Sequence, residues 1–332
     1  MLIRRFNYLL IIVVCIMFIF AGYSTSFAQI TLNIGYEVPP EHGIGQGIEM
    51  FKYAVEDKTN GEVKIVVHPN GVLGNERELA EMVYLGTLDM TAVTPGILSN
   101  YEPSVAVLSL PFIFKDWSHI DRVLESPVGE EIADRLLEKS GMRILAYYGH
   151  DYRDIFTADR KIVNVEDMKG LKFRVIEAPL YVKIMETWGA SPTPMGWNEL
   201  YTSLQTGVVD AFCNLSQNVY SFKLYEVLKY YNHIDYIWEG AIFIIGEDVW
   251  QKISKKNQEI IKKEAWKSGL LCRKYMEVNS TKYDNLLYEE GLISIDVNVD
   301  SFREALAEVQ FQEKYAEEHN FLDLLDRIRE IQ

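Results

Sequence analysis

Cysteine is scarce in this chain of 332 residues, which has only Cys15, Cys213 and Cys272. So few thiols in a chain of this length exclude a disulfide framework of the kind that holds small secreted domains together. Cys15 lies in an apolar N-terminal segment, which leaves two cysteines for the rest of the chain. These two could form one bond with each other, but we expect two free, buried thiols.

Basic residues are in the minority. The chain has 33 Lys and Arg against 48 Asp and Glu, which gives a formal net charge of −15. The first 28 residues contain Arg4 and Arg5 and no acidic residue, so the remainder has 31 basic and 48 acidic residues and a charge of −17. A protein this acidic is poorly suited to bind nucleic acid or an anionic membrane surface. We predict no nucleic-acid partner.

Sequence motifs of common enzyme classes are missing. There is no G-x-S-x-G, H-E-x-x-H or P-loop, and no G-x-G-x-x-G follows a predicted strand. The six histidines lack the spacing of metal ligands, and each is interpreted as a surface or internally hydrogen-bonded residue: His42, His68, His119, His150, His233 and His319. We predict no catalytic residue, no metal and no cofactor, although a catalytic carboxylate pair need not be local in sequence.

The N-terminus has the pattern of a targeting segment. Arg4 and Arg5 precede an apolar run at residues 9–21, which is short for a membrane span. Ser26 and Ala28 supply the small residues that signal peptidase requires before its cut. A permanent membrane anchor is the alternative, and a lipid anchor on Cys15 is disfavoured by the bulky residue before it. We predict a signal peptide at residues 1–28 and an exported, periplasmic protein.

Strand-like and helix-like segments alternate after residue 29. Strands are predicted at 30–36, 63–68, 90–94, 142–147, 172–175, 191–194, 209–214 and 293–297. Helices are predicted at 43–59, 76–85, 117–124, 129–140, 178–188, 198–206 and 301–319, and a long helix begins near residue 254 with a break near Gly269. This order predicts an α/β protein with parallel sheets covered by helices, and its length favours two lobes over one core.

Several polar residues fall at predicted strand ends, where open α/β sheets bind ligands. They are Glu37, Thr94, Arg153, Arg174 and Asn214. Arg174 belongs to the segment KGLKFRV, in which apolar and charged residues alternate as in a half-buried strand. A guanidinium matches a carboxylate in two parallel hydrogen bonds, so Arg174 is a candidate anion ligand. An ordinary surface charge is the alternative.

Five stretches of the sequence form a characteristic series: TNGEVKIVVHPNGVLGNEREL, LSLPFIFKDWSH, DMKGLKFRV, WGASPTPMGWNELYTSLQTGVVDAF and YEVLKYYNH. In this order they resemble the DctP-type solute receptors of tripartite ATP-independent periplasmic (TRAP) transporters. The resemblance implies a two-lobe periplasmic-binding-protein fold, type II-like, with crossing strands and a long helix that spans both lobes. Residues 29–150 and 239–278 would form lobe I, and residues 151–238 and 279–332 would form lobe II.

The same resemblance implies roles for individual residues. Arg174 would pair with the carboxylate of a transported acid, and Arg153 and Asn214 would contact the same group. Five further residues would line the cleft: Trp197, Glu37, Glu76, Thr94 and Tyr236. Core packing remains an alternative for Trp197, as does core or hinge packing for Tyr236, and Glu76 could instead favour a helix dipole.

The implied function is that of an extracytoplasmic receptor, not an enzyme. It would capture a small organic acid in the cleft between its lobes and deliver it, as a monomer, to the small and large membrane subunits of a transporter. Two alternatives are a sensory binding protein for a receptor kinase and an exported enzyme on the same fold. Ala211 and Cys213 replace the glycine and the acidic residue usual in the family, which leaves the identity of the acid open.

Overall fold

The computed structural model describes residues 29–331, and the predicted signal peptide lies outside the described residues. The strands are β1 (Ile30–Gly35), β2 (Val63–His68), β3 (Met90–Val93), β4 (Met142–Thr157), β5 (Lys172–Val175), β6 (Ser191–Pro194), β7 (Ala211–Asn214), β8 (Tyr230–Gly246) and β9 (Ile293–Asp296). The helices are α1 (Gly43–Lys58), α2 (Glu76–Tyr84), α3 (Pro95–Leu98), α4 (Trp117–Leu124), α5 (Pro127–Ser140), α6 (Pro179–Thr187), α7 (Leu200–Gln205), α8 (Ser216–Ser221), α9 (Glu247–Trp250), α10 (Lys255–Glu289), α11 (Val299–Glu308), α12 (Phe311–Glu318) and α13 (Leu322–Glu330).

One mixed sheet runs through the described part of the chain, in the order β2-β1-β3-β8-β4-β7-β5-β6, with β9 beside β8. In the first half β1 is parallel to β2 and β3, and in the second half β5 is parallel to β6 and β7. The antiparallel pair β4 and β8 lies between these halves and belongs to both. These two strands therefore connect the halves of the molecule.

The two connecting strands are much longer than ordinary strands. β4 has 16 residues and β8 has 17, whereas the sequence predicts only residues 142–147 of β4. Nearly all of β8 is buried, as expected for a central strand that helices cover on both faces. Their pairing shifts register between Tyr148 and Asp151, an irregularity that bends the pair where it passes from one half to the other.

The helix α10 packs along both halves without interruption over its 35 residues. Near its middle Ser268 shares a hydrogen bond with Tyr148 of 2.5 Å, and farther along Asp284 accepts one from Tyr231 of 2.8 Å. The predicted break near Gly269 is wrong. A Cβ atom on Gly269 would lie 2.8 Å from the carbonyl oxygen of Tyr147, so this glycine permits close packing on β4 instead of ending the helix.

The C-terminal region differs from prediction in two respects. The single helix predicted at 301–319 is divided into α11 and α12, because Gln310 has a left-handed backbone with φ of 53°. The last helix, α13, packs on the first half of the molecule, where Arg327 pairs with Glu131 at 2.6 Å. These contacts differ from the predicted boundary, which placed all of 279–332 in lobe II.

Cys213 and Cys272 are buried and unpaired, which confirms the prediction of two free thiols. Within residues 29–331, no helix is both long and apolar enough to cross a membrane. The same residues contain no group of three or more His, Cys, Asp or Glu arranged to hold a metal ion.

Candidate ligand-binding site

A cavity lies between the two halves of the sheet, where β1, β3, β5 and β7 end. Seven of the eight predicted site residues line it: Glu37, Glu76, Thr94, Arg153, Arg174, Trp197 and Asn214. The volume of the cavity that is open to the centres of water molecules is about 60 Å³. One water molecule needs roughly 10–15 Å³ of this volume, so the cavity can hold several. The cavity therefore has room for a small solute.

Arg174 is the most notable charge in this cavity. It stands near the end of β5 and is 3% exposed. Its Nε and Nη2 atoms donate to the carbonyl oxygen of Met195 at 3.1 and 2.8 Å, and its guanidinium lies 5.6 Å from the centre of the Trp197 ring. Nη1 has no hydrogen-bond partner among the described residues. The end of the guanidinium is therefore available to an anion, while its side is held by the backbone.

The environment of Arg174 disfavours its positive charge. Burial lowers the pKa of Arg174 to about 10, and the nearby Arg153 acts in the same direction. Glu37, Cys213 and Glu76 only partly oppose this effect. An anion placed against the guanidinium would relieve this cost, because an opposite charge favours the ionised form.

Arg153 differs from Arg174 because the protein already uses its donors. Nη1 forms an ion pair with Glu239 at 2.6 Å, Nε donates to the Cys213 sulfur at 3.3 Å, and Nη2 donates to the Cys213 carbonyl oxygen. Its guanidinium also lies 5.3 Å from the centre of the Tyr181 ring. Arg153 adds positive potential to the cavity, but Glu239 compensates much of its charge.

Asn214 ends β7 and presents its amide to the cavity. Its Oδ1 accepts from its neighbour's backbone, Leu215 N, and from Asn218 Nδ2, both at 2.8 Å. With the oxygen used in this way, the amide nitrogen is the group that remains for a ligand. Asn214 is therefore a hydrogen-bond donor suited to a carboxylate, on the same side of the cavity as Arg174.

The opposite wall is acidic and comes from the first half of the molecule. Glu37 follows β1, Glu76 begins α2, and Thr94 follows β3 and donates to Glu76 at 2.9 Å. Burial raises the pKa of Glu37 to about 7, although Arg174 acts to lower it. Burial, then Glu37 and Glu239, raise the pKa of Glu76 to about 8. Glu37 Oε1 is buried without a hydrogen-bond partner, so this wall offers acceptors to hydroxyl groups.

Trp197 lines the cavity with an aromatic ring beside Arg174. It begins a short 3₁₀ helix at Trp197–Glu199, and its ring makes edge contacts with Phe222 and Phe212 at 5.2 and 6.1 Å. Packing on two phenylalanines fixes the ring, so it can support the guanidinium and contact the body of a ligand.

Tyr236 does not line the cavity, contrary to the prediction. It is fully buried in β8, where its ring packs on Trp188 at 5.1 Å and its hydroxyl donates to the Cys213 sulfur at 2.8 Å. Cys213 in turn contacts Arg153, so Tyr236 supports the site from behind. Periodicity alone cannot separate these roles, because almost every residue of β8 is buried.

An ion pair joins the two halves at the mouth of the cavity. Arg77 of α2 pairs with Glu177 near the start of α6 at 2.7 Å. Asn100 Nδ2, also from the first half, donates to the Glu177 carbonyl oxygen at 3.0 Å. These contacts cross the cleft, so they can form only when the halves are together.

The sequence analysis missed further polar residues that line the cavity, among them His42, Asn218, Glu239 and Arg77. Glu239 lies opposite Asp151 in the β4–β8 pair, a register that a sequence does not specify. Asn218 lies in α8, whereas Asn214 ends β7, so no single helix or strand period marks the two as neighbours. His42 precedes the glycine-rich start of α1, where the only available signal was that of a helix cap.

Comparison with known proteins places the chain among transport receptors. The sequence model of the family described as bacterial extracellular solute-binding protein, family 7 (DctP), matches residues 34–318. Solute-binding protein RD1_1052 of Roseobacter denitrificans is 31% identical over 288 residues, which cover 85% of this chain and 86% of that protein. The sialic acid-binding periplasmic protein SiaP of Vibrio cholerae is 30% identical over 279 residues, covering 84% and 87%.

Solved structures agree with this assignment. A TRAP periplasmic solute-binding protein from Polaromonas sp., bound to D-erythronate, has a TM-score of 0.87 and 28% identity and covers 92% of this chain and 99% of its own. A second from Chromohalobacter salexigens, with bound D-glucuronate, has a TM-score of 0.86 and 28% identity and covers 91% and 100%. These similarities confirm the predicted two-lobe fold and the predicted family.

Proposed function

This chain belongs to family 7 of the bacterial extracellular solute-binding proteins, a family of binding proteins and not of enzymes, and from that premise we propose that it captures a small sugar acid in its cleft and delivers it to a TRAP transporter. The acid's carboxylate lies against Arg174 and Asn214. Its hydroxylated body extends toward Glu37, Glu76 and Thr94 in the other lobe.

The observation that carries this proposal is the state of Arg174. A buried guanidinium is held by Met195 and Trp197, yet one end of it has no partner among the described residues. Buried charges are unfavourable unless they are paired. A carboxylate in the cavity supplies the missing pair, and the Asn214 amide adds a second donor.

The acidic wall supports a polyhydroxy acid over a plain carboxylate. Carboxylate and hydroxyl oxygens there accept hydrogen bonds, and only a ligand with several O–H donors uses more than one of them. A purely aliphatic acid would leave these polar groups buried and unpaired, which costs about 1–3 kcal/mol per group. The relatives that bind sialic acid, D-erythronate and D-glucuronate take ligands with this combination of a carboxylate and hydroxyls.

Capture requires that the lobes close around the acid. Lobe I comprises residues 29–150 and 239–278, and lobe II comprises residues 151–238 with the remaining chain, except that α13 packs on lobe I. The lobes rotate about the long strands β4 and β8, because these connect them. An acid stabilises the closed state only through contacts that the open state lacks, and groups from both lobes provide them.

The place of action is the periplasm, which is the location of this family in TRAP systems. A signal peptide at residues 1–28 directs export, and the mature protein acts as a monomer. Its partners are the membrane subunits, which recognise the closed receptor and accept the acid. Size-exclusion chromatography with light scattering tests the monomer, and a dimer of constant mass over a dilution series would refute it.

A thermal-shift screen of residues 29–332 tests the proposed function. The panel contains sugar acids, plain aliphatic acids, and neutral sugars as controls. A ligand at 100 times its dissociation constant adds about 2.7 kcal/mol of stability, which raises the melting temperature by several degrees. We expect a shift with one or more sugar acids and none with the neutral sugars. Shifts with neutral sugars alone would overturn the assignment of an acid receptor.

A further inference from the structure

The direction of the Asn214 amide decides whether this residue can bind a carboxylate. An asparagine side chain presents either an oxygen, which repels a carboxylate, or an NH2 group, which donates to it. Here the oxygen is directed away from the cavity by two donors at 2.8 Å, Leu215 N and Asn218 Nδ2. The second of these depends on how the amide of Asn218 is itself oriented.

Asn218 also lies next to a residue of the other lobe, His42. Its Oδ1 is buried, as is the Nε2 atom of His42, and both atoms lack a hydrogen-bond partner among the described residues. Burial lowers the pKa of His42 to about 4, and the neighbouring Asn218 side chain acts in the opposite direction. The His42 ring is therefore neutral near pH 7.

The backbone determines which nitrogen of His42 carries the hydrogen. His42 is the N-cap of α1, and its Nδ1 accepts from the backbone N–H of Ile44 at 3.2 Å. In a neutral imidazole one nitrogen accepts and the other donates. Nε2 is therefore the nitrogen that can donate, and the buried Asn218 Oδ1 is an acceptor that still needs a donor.

We propose that His42 is a positioning residue: across the closed cleft its Nε2–H holds the amide of Asn218, which in turn directs the NH2 group of Asn214 toward the carboxylate of the bound acid. This inference rests on the proposed function, because it assigns a role in binding that same acid. His42 belongs to lobe I, whereas Asn214 and Asn218 belong to lobe II. All three line the cavity, so the chain of hydrogen bonds is complete only when the cleft is closed.

Two substitutions of His42 separate its role as a helix cap from its role toward Asn218. His42→Asn keeps an acceptor for the Ile44 N–H, because asparagine is a favourable N-cap, but loses the distal donor. His42→Gln keeps a distal N–H donor and loses the cap. If His42 had only a structural role, both variants would have a lower melting temperature and a lower affinity for the acid.

The measurements are the melting temperature without ligand and the dissociation constant for D-glucuronate and D-erythronate by calorimetry. We expect His42→Asn to melt near the wild type and to bind about tenfold more weakly, as for a lost hydrogen bond that serves a charged group. We expect His42→Gln to melt about 2–4 °C lower but to bind within about threefold of the wild type. The opposite pattern, or equal affinity in all three proteins, would overturn the inference.

A double-mutant cycle supplies a further test. If His42 acts through Asn218, then His42→Asn should add little to the loss caused by Asn218→Ala, whereas independent effects would multiply. Multiplied losses would show that His42 acts by another route. Wild-type protein that binds neither acid nor any other sugar acid would instead overturn the proposed function, and this inference with it.

Discussion

Replacing Arg174 by methionine should weaken acid binding at least about 30-fold and leave the unliganded protein about as stable as the wild type. Methionine retains much of the apolar stem but has no charge and no donor. The ligand carboxylate would then enter a closed cavity without its main partner. Removing one member of a buried charged pair costs about 2–5 kcal/mol, which is roughly a 30- to 5,000-fold loss of affinity.

The expected effect on stability has two opposing contributions. Methionine loses the two hydrogen bonds to the Met195 carbonyl oxygen, each of which costs about 1.5–3 kcal/mol for a charged donor. It also removes a buried charge whose lowered pKa shows that the folded protein disfavours it. These contributions oppose each other, so the melting temperature of the unliganded variant should lie within a few degrees of the wild type.

Titration calorimetry with the best acid from the screen measures the loss. Arg327→Met is the matched control, because it removes an arginine that pairs with Glu131 on the surface of lobe I. The control should bind within about twofold of the wild type, since exposed ion pairs contribute little. Equal affinities for Arg174→Met and wild type would refute the assignment of Arg174 as the carboxylate ligand.

Three further predictions concern the rest of the cavity. Burial raises the pKa values of Glu37 and Glu76 to about 7 and 8, so both carboxyls ionise between about pH 6 and 9 and then repel an anion. The affinity for the acid should therefore fall over this pH range, and Glu76→Gln should reduce the fall. An affinity that does not change with pH would contradict this prediction. In calorimetry, Trp197→Ala should weaken binding about 5- to 30-fold, since it removes a ring that contacts Arg174; unchanged affinity would exclude that support. Arg77→Met breaks the exposed ion pair with Glu177, and it should weaken binding by at most about fivefold at low salt and less at high salt, because salt screens exposed charges. A loss of affinity that does not depend on salt would contradict this reasoning.

The same proton linkage applies to the stability of the unliganded protein. Both carboxyls have folded-state pKa values above the ordinary value of 4.5. The folded protein therefore binds more protons than the unfolded chain over this interval, and stability should fall as pH rises from about 4.5 to 8. Thermal denaturation without ligand checks this, with Glu76→Gln as the comparison, since it should remove part of the decline.

The sequence predicted the parts of the site that follow directly from strand ends. Arg174 and Asn214 end or nearly end β5 and β7, and Glu37 and Thr94 follow β1 and β3, so alternation and turn signals were sufficient to place them. The resemblance to the receptor family then supplied their roles. It did not show that Arg153 already binds other residues of the protein, since its N–H groups contact Cys213 and Glu239.

The features that the sequence could not predict depend on contacts between distant segments. The register of β4 against β8 brings Glu239 to Arg153, and closure of the cleft brings His42 to Asn218; neither leaves a periodic signal. Tyr236 could not be assigned, because a strand that is buried on both faces shows no alternation to separate cavity from core. The helix break predicted near Gly269 was wrong for a related reason, since the pattern of residues along a helix does not show that a glycine packs closely on β4.

The most direct test of the central claim is a crystal structure of residues 29–332 with the acid that binds most tightly. The account predicts closed lobes, with the carboxylate within about 3 Å of the Arg174 guanidinium and of Asn214 Nδ2, and with hydroxyl groups directed at Glu37 and Glu76. A ligand bound in the reverse orientation, with its carboxylate away from Arg174, would contradict the account, as would an acid bound outside this cleft.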